Sequence, residues 1–125
     1  MKLIIELSER QLEEITKALD LYSRILCGQI EEVPKVIQFA DFTRPILTTS
    51  EDRASVKVAT ETLKSKLFPE VYPASHGICS SERLPSLAAV TYDIYQVILK
   101  MQNPNRDIFK TSSKEKLPII KRVEV

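Results

Sequence analysis

His76 is the single histidine of this chain, and it stands between Ser75 and Gly77, so an imidazole, a hydroxyl and a permissive backbone position arrive together. Such a group can serve as a general base or a ligand, or the imidazole can simply tie a loop to backbone. A catalytic reading would need a nucleophile motif or a second titratable group held in a different environment. The chain carries no such motif, and its carboxylates fall mainly on helix faces that read as solvated, so no catalytic residue is expected. Cys27 and Cys79 have no CxxC pairing. With one histidine they cannot assemble a four-ligand zinc site, so neither metal nor cofactor is expected and the cysteines read as buried thiols.

Phosphate chemistry is the better prospect, although two glycines in the whole chain cannot build a glycine-rich cradle. Arginine forks can hold phosphate instead, and Arg24, Arg44, Arg53, Arg83 and Arg106 are available. Phe68 and Tyr72 lie just before Ser75, His76, Gly77 and Ile78, where their rings either stack on a base or pin the loop to the core. Tyr92, Tyr95 and Gln96 fall on neighbouring helical turns and offer phenols and an amide together, or equally a packed core.

The elements that position these residues read as mostly helical. Ser8 and Gln11 form a capping box that opens a helix running to about Cys27, with Leu12, Ile15, Leu19, Tyr22 and Leu26 as its apolar face. Gly28 suits the helix end, and a second, shorter helical piece follows it. From Phe39 to Thr49 the period is lost. Thr49 or Ser50 then caps a helix whose inner face is Val56, Ala59, Thr60, Leu63 and Leu67, and which Pro69 closes. Pro85 suits the first turn of a last helix, broadly buried from Leu87 to Met101. Lys2 to Leu7 and Leu117 to Val125 read as short strands that pair with each other. Two strands alone are marginal, so a sheet completed in a homo-oligomer is expected. The expected fold class is therefore α+β, mostly helical, three to four helices with terminal strands, as a single domain over residues 1–125.

Composition narrows the partners. Eighteen basic residues against seventeen acidic ones leave a charge of +1, too weak a field to favour a DNA or RNA duplex or an anionic membrane. The apolar runs are too short to span a bilayer, and Glu6 interrupts any secretory leader, so a cytoplasmic protein is expected.

Three segments carry a resemblance. Ala18 to Arg24 with Gly28-Gln29, Ser75 to Ile78, and Ala88 to Ile98 together resemble a group of small phage-encoded proteins, the first family of Thoeris anti-defence proteins. The resemblance implies a non-catalytic oligomer in the host cytoplasm that encloses a cyclic ADP-ribose-type signal (glycocyclic ADP-ribose) made by bacterial TIR-domain enzymes. Cyclic oligonucleotides are a further ligand class it implies, at separate sites. Carried over by segment, Phe68, Ser75, His76, Gly77 and Ile78 would surround base and ribose, with Arg24 and Gln29 nearby and Gln96 on the last helix. Phosphate would fall to Arg24, Lys100 or Arg106. One departure stands out: Leu99 follows Ile98 where a basic residue is expected, which turns Lys100 by about a quarter turn or more. The alternative is a phage adaptor or inhibitor that binds protein and no nucleotide, through an exposed apolar patch or strand edge.

Overall fold

The computed structural model describes residues 1–39, 49–77 and 86–123. They form four helices: α1 (Glu9–Leu26), α2 (Glu32–Phe39), α3 (Ser50–Leu67) and α4 (Ser86–Gln102). The described residues contain no strand, which corrects the expected α+β class to an all-helical one. Residues 2–7 and 117–123 have strand-like side chains, but neither finds a sheet to join, and β-propensity yields when no neighbouring strand supplies the ladder. Leu3, Ile4, Ile5, Leu7, Ile119 and Val123 accordingly stand exposed.

The capping box forms as read. Gln11 N–H donates to Ser8 Oγ at 3.1 Å, and Ser8 N–H donates to Gln11 Oε1 at 2.9 Å. At the other end Gly28 takes φ +98°, and Gly28 N–H and Gln29 N–H donate to the carbonyls of Ile25 and Arg24, both at 2.9 Å. This pair of bonds is a Schellman closure, and it satisfies carbonyls that a helix end otherwise leaves open.

α1 packs along α4, and α2 folds back on α1. The contact uses small side chains. Cys27, Ala88 and Ala89 form the buried cluster, with Leu26 beside it. The buried positions of α1 are Thr16 and Ser23, whereas Ile15 and Tyr22 of the expected apolar face are exposed. Close approach of two backbones selects the small-residue face, and hydroxyls can enter it because Thr16 Oγ1 donates to the Leu12 carbonyl and Ser23 Oγ to that of Asp20. α3 departs further from its reading. Val56 and Thr60 are half-buried, Leu63 and Leu67 are exposed, and the buried residue is Lys64. Its N-cap is Thr49, whose hydroxyl accepts from Asp52 N–H at 3.0 Å. Pro85 lies outside the described residues, and Leu87 is exposed rather than buried.

Two sets of polar contacts complete the fold. Lys64 Nζ donates to both carboxylate oxygens of Glu31 at 3.1 and 3.2 Å, joining α3 to the turn before α2. The segment after α4 is strapped back onto that helix. Gln96 donates to the Phe109 carbonyl at 2.8 Å and accepts from Phe109 N–H at 2.9 Å, while buried Asp93 accepts from Thr111 N–H and from Thr111 Oγ1, both at 2.9 Å.

Candidate functional site

The residues singled out from the sequence gather in two places. One is the C-terminal end of α1. There His76 N–H donates to the Cys27 carbonyl at 2.8 Å, so the loop carrying Ser75 and Gly77 is docked on the Schellman turn. Phe68 lies against that turn as well: a Cβ on Gly28 would lie 3.1 Å from its Cγ, and its ring meets the His76 ring edge-on at 6.3 Å between centroids. His76 Nε2 is 3.1 Å from Glu70 Oε1 and the residue is buried. Backbone and side-chain bonds of Glu70, the latter to His76, hold the Glu70 carboxyl below the usual range. The imidazole thus ties the loop down, which is the simpler of the two roles open to it. Ser75 is half-buried, Gly77 is exposed, and Ile78 lies outside the described residues.

The second place is the edge between α1 and the end of α4. Arg24 Nε donates to Asp20 Oδ1 at 3.0 Å, and its Nη1 donates to Gln29 Oε1 at 3.0 Å. The bond to Asp20 raises the Arg24 pKa further above an already high value, so this fork is permanently charged and held in place. Tyr95 lies in the field of Asp20, Arg106 and Arg24, and burial first, then Asp20, raises its phenol pKa. Its ring packs against Tyr92 with centroids 5.8 Å apart at 35°. Arg106 is exposed, and its guanidinium has no hydrogen-bond or ion-pair partner among the described residues. The charges of both guanidiniums therefore act on Tyr95, which is half-buried and paired with Tyr92.

The other two expected contacts are engaged elsewhere. Gln96 is buried and holds Phe109, and Lys100 Nζ donates to the Arg106 carbonyl at 3.1 Å. Both act on the strap that places Arg106, so they support the site rather than face it. Sequence reasoning noted Tyr92 and Tyr95 as neighbours but left them out of the site. The signal was their spacing of three beside two arginines that lie far apart in the chain. Asp93 was missed altogether, because a carboxylate between Tyr92 and Ile94 reads as a surface charge until its Thr111 partner folds onto it.

Among the described residues no group of three histidine, cysteine, aspartate or glutamate side chains converges as a metal site would require. Among them also, no helix is long and apolar enough to cross a membrane. Comparison with protein-family models, with curated proteins and with solved structures finds no match.

Proposed function

We propose that this protein is a non-catalytic binder that sequesters a cyclic ADP-ribose-type nucleotide in the host cytoplasm, as its resemblance to the Thoeris anti-defence proteins implies. The observation that carries this reading is that the Arg24 fork, held by Asp20, and the Arg106 guanidinium both act on Tyr95, whose ring is paired with that of Tyr92. A dinucleotide-like ligand with a pyrophosphate needs fixed cations at two points, and guanidiniums supply bidentate donors. Adenine needs an aromatic face, which the tyrosine pair offers. Gln29, already oriented by Arg24, adds an amide for ribose hydroxyls. Nothing in this set needs to move a proton, so tight, slow release is the working property.

A homo-oligomer is part of the proposal. Five apolar residues, Cys27, Ile30, Ala88, Ala89 and Ile98, make up the buried core among the described residues, while Leu3, Ile4, Ile5 and Leu7 are exposed together. That apolar segment is better explained by a covering partner than by water. It equally favours the second reading, a protein-binding adaptor, in which the partner is a host protein.

Titration calorimetry with the purified cyclic product of a TIR enzyme separates the two. Saturable binding that weakens about tenfold or more in Arg24→Ala and in Arg106→Ala, the loss of one charge-assisted bond each, is expected. Absence of heat, together with stoichiometric co-purification of a host protein, would favour the adaptor.

A further inference from the structure

A cleft of about 480 Å³ opens between α2 and α3, and none of its lining residues belongs to the Arg24–Tyr95–Arg106 surface. Its volume is that of a small-molecule site. Lys35, Arg53, Lys57 and Lys64 contribute four cations to its walls, against the two carboxylates of Glu31 and Glu61. In a chain whose total charge is +1 this concentration is local, not a reflection of general basicity. Glu31 neutralises Lys64, which is buried, so the wall contains a fixed, compensated pair. Lys35 makes a long, exposed contact of 3.5 Å with Glu32, and Lys57 has no hydrogen-bond or ion-pair partner among the described residues. The rest of the lining combines the polar Gln38 and Thr60 with the apolar or flat side chains of Pro34, Val56, Tyr72 and Pro73. Cations beside an apolar, partly aromatic stretch of the same wall match a ligand with a charged head and a flat body.

We propose that the α2–α3 cleft is a second ligand site, for a small doubly charged anion attached to a flat unsaturated ring, an aryl phosphate in chemical class. The lysine side chains meet the phosphate, and the ring lies against Tyr72, Pro73 and Val56. The proposal is independent of the nucleotide reading, because the two sites share no residue.

The test uses naphthyl phosphate as the probe, followed by its fluorescence, with inorganic phosphate and naphthol as the separated head and body. The full chain should bind naphthyl phosphate at one saturable site, and each half alone should bind more weakly. A Lys35→Gln, Lys57→Gln double variant should weaken binding about tenfold or more, while Arg24→Ala leaves it unchanged. Both lysines are exposed, so an unchanged circular dichroism spectrum is expected of the variant. Failure to saturate at millimolar probe would overturn the proposal. So would equal binding by the double variant, or loss of binding in Arg24→Ala, which would place the probe at the other surface.

Discussion

At the scale of single residues, Gly28 is the position where backbone geometry decides most. Its φ of +98° is available to other residues only with strain, and an added Cβ meets the Phe68 ring. Gly28→Ala should therefore lower the free energy of unfolding by about 1–3 kcal/mol in a urea titration. An unchanged midpoint would mean that the turn is not held as described. Asp93 is the second such position. Its buried carboxylate satisfies both polar groups of Thr111, so Asp93→Ala should cost about 2–3 kcal/mol and a surface carboxylate in the first turns of α1 should cost almost nothing. The Cys27 thiol gives an independent check. Burial raises its pKa above the ordinary 9.0, so native protein lacking Cys79 should react slowly with a thiol reagent, and fast only after unfolding.

At the scale of elements, the helices were legible because their ends carry chemistry that acts locally. The Ser8–Gln11 box, Gly28 and the Thr49 cap each specify a backbone geometry through bonds to residues no more than a few positions away. The terminal strands were not, since strand formation depends on a partner that sequence alternation cannot supply. The inner faces were only half legible. Periodicity marks where apolar residues recur, but α4 presents Ala88 and Ala89, and close packing drew in Ser23 and Thr16 while leaving Ile15 and Tyr22 outside. The candidate site followed the same division. Arg24 and Gln29 sit five residues apart and were found together, whereas the charge of Arg106 comes to act on Tyr95 only once Gln96 and Asp93 hold the segment after α4. Gln96→Ala should free that strap. Amide hydrogen exchange at Phe109 and Thr111 should accelerate by at least about tenfold, through the loss of the two half-buried Gln96–Phe109 bonds, while α1 amides are unaffected.

At the scale of the whole molecule, charge linkage and assembly give the readouts. Burial opposes ionisation of Glu31, but its backbone bond and Lys64 outweigh that and hold its carboxyl below the ordinary 4.5. A depressed carboxyl adds stability above the unfolded pKa, and that stability is lost as pH falls through the folded value. Acid unfolding should therefore steepen below about pH 4.5, and Lys64→Met should flatten that part of the profile. Glu31 remains half open to water, so the change is modest. A non-catalytic binder of the kind proposed above holds its nucleotide without altering it. The most direct measurement incubates the protein with a TIR-enzyme product, removes unbound material by gel filtration, denatures the protein and identifies what is released. The cyclic nucleotide should come back intact in stoichiometric yield, and in much lower yield from Arg24→Ala. Release of linear ADP-ribose would show that the protein is a hydrolase, and release of no nucleotide at all that it is not a nucleotide binder.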